Sequence, residues 1–319
     1  MNVEVEQEAV RMGERLAYVN GKLVPESQAV VSAFDRGLRW GDGIYEAEVT
    51  FRGKIFKLEQ HVDRLYRSLV YTRINPGLTK DEMIHAIQSV AEANAKLLGE
   101  NDEYIVTQVV TRGAMTATGR VSGLRATVVI YCQLIPYAEF AKYYVQGVRL
   151  ITPSIRRIPP QCLSPKGKIA NRMNLILADL EVRDRDPEAS ALMLDVDGNI
   201  TETSAANFMF VSSRRLMLPS RRGVLGGISM ETVLELAKKL ELPVVEGDYS
   251  PFDVYTADEA FLTSSLFRIL PVAHLNGIKI GVETPGPVTR SLLKTWSDLV
   301  GVDIVARALS CLGNPQLAR

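Results

Sequence analysis

Residues 164–207 read SPKGKIANRMNLILADLEVRDRDPEASALMLDVDGNITETSAAN. Two lysines, Lys166 and Lys168, stand in a Pro-Gly loop. Leu175, Leu177 and Ala178, then Leu180 and Val182, follow at helical spacing, so a helix is expected. Asp186-Pro187 ends it, because the residue before a proline is pushed out of the helical region. Ala191 to Val196 is an apolar run of strand length, and Asp197-Gly198 is a hairpin turn signal. Asn199 to Glu202 begins the return strand, and Phe208 to Val211 continues as another apolar run. A lysine on a loop and a carboxylate between two strands are either unrelated surface charges or the two ends of one cofactor site.

Outward from this stretch, the chain reads as two domains. At 319 residues it is long enough for two cores. Tyr18 to Val24 is a strand-turn-strand around Asn20-Gly21. Trp40 to Gly43 is a tight loop ahead of a strand over 44–51. An amphipathic helix opens at Glu59 and a second spans 81–98. Residues 104–111 and 126–134 are rich in β-branched side chains and read as strands. The expected division is a small N-terminal α+β domain over 1–136, a connection over 137–147 and a larger domain over 148–319, with residues 1–16 as a tail or peripheral helix. In the larger domain a Gly-rich loop at 223–229 precedes a helix over 230–240. Strands are expected at 216–218, 244–246 and 259–262, and a closing helix at 288–300.

Composition excludes several classes. Lys+Arg and Asp+Glu are both 37, which gives no basis for nucleic-acid or anionic-membrane binding. No apolar run approaches membrane-spanning length, and the acidic start MNVEVEQEAV lacks a signal-peptide core. Cys132, Cys162 and Cys311 are widely separated, with no metal-ligand spacing. A reducing cytoplasm and no metal site are therefore expected.

Lys168, Asn171 and the helix after them, then LDVDGNITE and AANFMFV, resemble the core of the class IV (fold type IV) pyridoxal-phosphate enzymes. That family includes branched-chain and D-amino acid aminotransferases, (R)-selective amine transaminases and aminodeoxychorismate lyases. The resemblance spans residues 17–305; each motif alone is weak, and their order and spacing are specific. It implies a two-domain fold type IV architecture, a homodimer, and pyridoxal 5'-phosphate held through a lysine amine.

The resemblance assigns residues one by one. The family's lysine precedes the helix-opening asparagine by three positions, as Lys168 precedes Asn171; Lys166 is two positions too early. Glu202 matches the carboxylate that keeps the pyridine nitrogen protonated. The family pattern there is E-G-S-G-x-N, and both glycines are replaced, by Thr203 and Ala205, which bears on that loop's backbone geometry. For the phosphate, Arg64 in His61-Val62-Asp63-Arg64-Leu65 matches the H-x-x-R-L arginine, whose planar fork suits phosphate. Gly227-Ile228-Ser229 resembles G-I-T-R, where free N–H groups at a helix start form an anion site; Ser229 also reads as a plain N-cap. Ser264 and Ser265 stand at the family's last Ser/Thr pair.

Tyr45 matches a substrate-pocket aromatic and equally reads as a packed strand residue. Arg172 replaces the tyrosine that branched-chain enzymes carry after the asparagine. The R-x-H motif of D-amino acid enzymes is absent after Thr111-Arg112-Gly113, and Val49 stands where many members are basic. Arg120 and Arg172 are the candidates for the missing carboxylate handle. The expected activity is ping-pong transamination between an amino acid, first a branched-chain L-amino acid, and a 2-keto acid. The alternatives are a D-amino acid or (R)-amine donor, an aminodeoxychorismate lyase, or a cofactor-binding relative without turnover.

Overall fold

The computed structural model describes residues 13–312. Most of the expected N-terminal tail, residues 1–12, lies outside them. The chain divides into two compact units. One runs up to Ile135 and also takes in Gly167–Asn171; the other comprises Pro136–Lys166 and the chain from Arg172 onward.

The first unit is built on β1 (Leu16–Val19), β2 (Lys22–Pro25), β3 (Gly43–Phe51), β4 (Lys54–Ile55), β5 (Tyr104–Thr111) and β6 (Thr127–Leu134), in the order β2-β1-β6-β5-β3-β4. All five neighbouring pairs are antiparallel. Asn20 and Gly21 both take positive φ, the requirement of the tightest hairpin turn. Helices α1 (Leu58–Thr72) and α2 (Lys80–Asn94) cover one face. A capping box fixes the start of α2: the Thr79 side chain accepts from Glu82 N, and Glu82 accepts from Thr79 N. Val62, Leu65 and Leu69 of α1 and Met83, Ile87 and Val90 of α2 pack with Ile44, Val106, Val110, Val128 and Ile130.

Because strand side chains alternate, the opposite face carries Tyr45, Ala47 and Val49. The register sets Tyr45 beside Val109 and Val129, Ala47 beside Thr107 and Tyr131, and Val49 beside Ile105 and Gln133. The 167–171 segment lies along the free edge of β3. Ile169 bridges Ile44, Tyr45 N donates to Lys168 O at 3.0 Å, and Ala170 N donates to Gly43 O at 2.9 Å.

The second unit holds β7 (Val148–Ile151), β8 (Ala189–Leu194), β9 (Ile200–Thr203), β10 (Asn207–Ser212), β11 (Arg215–Pro219), β12 (Val244–Gly247), β13 (Glu259–Ser264), β14 (Arg268–Leu275) and β15 (Ile278–Lys279). The path is β12-β11-β10-β13-β14-β7-β8-β9, with β15 on β14. A further pairing of Asn207 with Glu202 joins β9 back to β10, so the strands from β10 to β9 close into a ring. Helix α3 (Met173–Arg183) packs Ala178 and Val182 on Ala189, Ala191 and Met193. Helices α4 (Ile228–Lys239), α5 (Pro287–Val300) and α6 (Ile304–Ser310) complete the unit.

Some elements fall elsewhere than the sequence suggests. Strand β8 ends at Leu194, because Asp195 takes over the turn: its Oδ1 accepts from Asp197 N and Asn199 N at 2.9 and 2.8 Å. Helix α4 starts two residues early, with Gly227 as its N-cap, so Ser229 lies inside the first turn and is not the cap. Strand β14 carries Pro271, a residue that argues against a strand interior, and it was not expected. Residues 137–147 include two single-turn helices, Tyr137–Phe140 and Tyr143–Gln146, within the second unit.

Candidate active site

Register decides where Lys168 points. Ile169 pairs with Ile44, whose side chain enters the core, so Lys168 sits opposite Tyr45 and shares its face. Lys168 Nζ lies 4.5 Å from the centre of the Tyr45 ring, a cation–π contact. Its backbone is held as well: Lys168 N donates to Ser68 Oγ at 3.2 Å. Gly41, in the left-handed conformation, leaves only 3.0 Å between a built Cβ and Asn171 Cβ, so a side chain there would press on this segment. Lys166 is exposed.

Arg64 lies beneath the other face. It is buried and forms a two-pronged pair with Glu46: Nε to Oε2 at 2.8 Å and Nη2 to Oε1 at 2.5 Å. His61 Nδ1 lies 3.2 Å from Glu46 Oε1. Burial works to raise the Glu46 carboxyl, but the Arg64 guanidinium and the His61 ring outweigh it and hold Glu46 well below the usual carboxylate range. Burial lowers the His61 ring, against the pull of Glu46. Arg64 therefore meets any phosphate already bound to a carboxylate, which its match to H-x-x-R-L does not reveal. Tyr45 lies on the lysine's side of the sheet. Arg120 is exposed on the loop after β5.

In the second unit Glu202 is buried at the end of β9, and both oxygens are engaged. Arg157 Nη2 donates to Oε1 at 2.8 Å, and Asn207 Nδ2 and Leu225 N donate to Oε2 at 3.0 and 3.1 Å. A carboxylate offers about four acceptor positions, and these donors occupy three of them. Sequence reasoning assigned no role to Arg157 or Asn207. Two adjacent arginines before Pro-Pro carry no signal that separates them, whereas the asparagine five positions after Glu202 was visible in the motif.

The replaced glycines are accommodated without strain. None of residues 203–206 has a positive φ, so the turn does not need glycine in this chain. Thr203 organises it: its Oγ1 accepts from Ala206 N at 3.0 Å and donates to Ala206 O at 3.0 Å. Arg172 Nη2 donates to Ser204 O on the same turn, so the structure brings this arginine to a backbone carbonyl.

Two independent features suit the residues matched to the phosphate site to an anion. Ile228 and Ser229 open α4, whose N-cap Gly227 has no side-chain cap, so first-turn N–H groups are left for an anion. At the end of β13, Thr263 Oγ1 and Ser264 Oγ are buried hydroxyls without a hydrogen-bond partner. The two features lie close together: Thr263 pairs with Asn207, and a Cβ on Gly227 would sit 2.0 Å from Asn207 Oδ1. Ser265 opens the turn after β13. Among the described residues no group of His, Cys, Asp and Glu is arranged to hold a metal ion, and no helix is long and apolar enough to cross a membrane.

Each unit thus carries residues matched to a pyridoxal-phosphate site: Lys168 and Arg64 in the first, Glu202, Ile228, Ser229, Ser264 and Ser265 in the second. Residues 43–275 match the model of the amino-transferase class IV family, and the chain belongs to that family. It is a pyridoxal-phosphate-dependent transaminase of fold type IV. A Methanocaldococcus jannaschii protein, provisionally named a branched-chain-amino-acid aminotransferase, is 35% identical over 88% of this chain and 95% of its own length. A D-alanine aminotransferase of Listeria monocytogenes is 30% identical over 86% of this chain and 92% of its own. Among solved structures, a branched-chain aminotransferase of Thermoproteus uzoniensis with norvaline is 27% identical, with a TM-score of 0.81, covering 92% of this chain and 96% of that one.

Proposed function

We propose that this transaminase moves the amino group of a branched-chain L-amino acid to a 2-keto acid. The observation that supports the donor is the face on which Lys168 lies. Tyr45, Ala47, Val49, Ile105, Val109 and Val129 form an uncharged wall there, with Thr107 and Tyr131 adding hydroxyls. A charged substituent set against it would lose hydration without gaining a partner, whereas an alkyl group gains about 25 cal/mol per Å² buried.

Bound pyridoxal phosphate supplies the electron sink for a carbanion at the donor's α-carbon. Lys168 Nζ would hold the cofactor and, once freed, would take the proton from the donor's α-carbon and deliver it to the carbon on the far side of the nitrogen, two atoms away. Glu202, paired with Arg157, is the fixed anion for a proton on the ring nitrogen. Arg64, Ser264, Ser265 and the N–H groups of Ile228 and Ser229 hold the phosphate. Arg172, through Ser204, shapes the turn beside Glu202, and Arg120 is left as the candidate handle for the substrate carboxylate.

The working form in this reading is a cytoplasmic homodimer. The first unit exposes Val30, Phe34, Leu38 and Trp40, and α3 exposes Met173, Ile176, Leu177 and Leu180 at i, i+3, i+4 and i+7, an apolar stripe suited to a second copy. A D-amino acid or (R)-amine donor is the second reading, favoured by the D-alanine aminotransferase relative. A donor panel with 2-oxoglutarate and pyruvate as acceptors tests the proposal. Leucine, isoleucine and valine in the L series are expected to lead; preference for D-alanine or an (R)-amine would overturn it, and turnover without an acceptor would point to a lyase.

A further inference from the structure

Two side chains of the first unit carry buried acceptors that no donor meets. Glu48 on β3 and Gln108 on β5 are both fully buried, and Gln108 Nε2 donates to Glu48 Oε1 at 2.8 Å. The other oxygen of each, Glu48 Oε2 and Gln108 Oε1, has no hydrogen-bond partner. With Glu48 ionised, both of these atoms are acceptors, and neither can satisfy the other. One proton on Glu48 Oε2 provides the missing donor. A carboxylic acid and a primary amide then close edge to edge, N–H to the acid carbonyl and O–H to the amide carbonyl.

The surrounding charges agree. Glu46 from β3, His61 and Arg64 from α1, Lys168 from the 167–171 segment and Cys132 from β6 are the titratable groups that act on Glu48. Arg64 is already bound at two points by Glu46, and His61 Nδ1 is 3.2 Å from Glu46 but 3.9 Å from Glu48. A second buried carboxylate would have no cation of its own, and an uncompensated buried charge takes up a proton instead.

We propose that Glu48 is carried in the fold as a neutral carboxylic acid closed onto Gln108, and that it is a positioning residue that leaves Arg64 with a single carboxylate partner. Burial first, and then the charge of Glu46, push the Glu48 carboxyl well above its usual range, while the bond from Gln108 pulls the other way. Loss of the Glu48 proton at alkaline pH puts a second negative charge beside Arg64 and weakens its grip on an incoming anion. This consequence rests on the reading of Arg64 as a phosphate contact.

Urea unfolding of the cofactor-free protein from pH 5 to 9, parent against Glu48→Gln, tests the proton. A folded pKa raised above the unfolded one stabilises below the unfolded pKa, and that stability is lost as pH rises towards the folded pKa. The parent's folding constant is therefore expected to fall relative to the variant by up to about tenfold per pH unit. Glu48→Gln keeps both bonds to Gln108 and lacks this decline; parallel curves would overturn the proposal. If the variant does not fold, the infrared spectrum of glutamate-labelled parent decides: a protonated-carboxyl band at pH 7 supports the proposal and its absence overturns it. Equilibrium dialysis of pyridoxal phosphate over the same range tests the link to Arg64, with an alkaline loss of affinity of about tenfold per pH unit at most expected in the parent and not in the variant. Equal pH dependence would overturn that link. Unchanged affinity in Arg64→Ala would overturn the phosphate reading of Arg64 instead, and the unfolding curves still decide the proton.

Discussion

Glu202→Gln is the most informative single substitution. In solution the change is nearly isosteric, but the structure makes it asymmetric. Glu202 accepts from Arg157 on one oxygen and from Asn207 and Leu225 on the other. Glutamine has one oxygen and one NH2. If the oxygen faces Arg157, the NH2 meets two donors; in the reverse orientation it meets a guanidinium. A lost hydrogen bond to a charged group is worth about 1.5–3 kcal/mol, and each buried donor left unmet adds about 1–3 kcal/mol. The expected loss of stability is therefore about 3–5 kcal/mol. Urea unfolding of the cofactor-free protein measures it. A single-turnover rate for amino transfer onto bound cofactor, at checked saturation, measures the second effect. That rate is expected to fall by orders of magnitude, since each factor of ten is about 1.4 kcal/mol. A stability change within about 0.5 kcal/mol, the range of an ordinary surface substitution, would refute the three-donor cradle. An unchanged rate would refute the assignment of Glu202 to the ring nitrogen.

Borohydride reduction followed by peptide mapping is expected to place the cofactor on Lys168; label on Lys166 would refute the register argument. Arg64→Ala should lower stability by about 3–5 kcal/mol by stranding Glu46, and should also weaken pyridoxal phosphate retention in dialysis. If only stability falls, Arg64 is structural. Gly227→Ala should reduce cofactor affinity, because its Cβ would lie 2.0 Å from Asn207 Oδ1 and one of the two must move; unchanged affinity would mean that the start of α4 does not bind the phosphate. At acid pH the sign is set by Glu46: its folded pKa is depressed, so its contribution is present above the unfolded value of 4.5 and is lost as pH falls through the folded one. Urea midpoints from pH 7 to 3 should therefore fall more steeply in the parent than in Glu46→Gln.

Much of the architecture was legible because alternation and turn chemistry coincide. Strands β3, β5 and β6 stand within a residue of their expected limits, and the Asn20-Gly21 hairpin forms with its first strand starting two residues before Tyr18. The family motifs picked out Lys168 and Glu202 as candidates, and the structure puts the first on the Tyr45 face and buries the second. Partnership was less legible. The pairing of Arg64 with Glu46 depends on one helix packing across one strand, and neither residue's neighbours in sequence encode it. Arg157 reaches Glu202 across forty-five positions. Strand β14 was hidden by Pro271, a residue that breaks ladders in most contexts. Arg172 drew attention as a substitution in the motif, yet its partner is a main-chain carbonyl, which no side-chain pattern announces.

The edge pairing of the 167–171 segment makes the position of the amine a matter of parity. Lys168 reaches the Tyr45 side only because it stands one position from Ile169, which bridges Ile44 of the opposite, core-facing set. Insertion of a single residue between Lys168 and Ala170 would turn the amine towards α1, while inserting two would restore it. Between Lys168 and Asn171, then, only an even change of length keeps the lysine on the Tyr45 face.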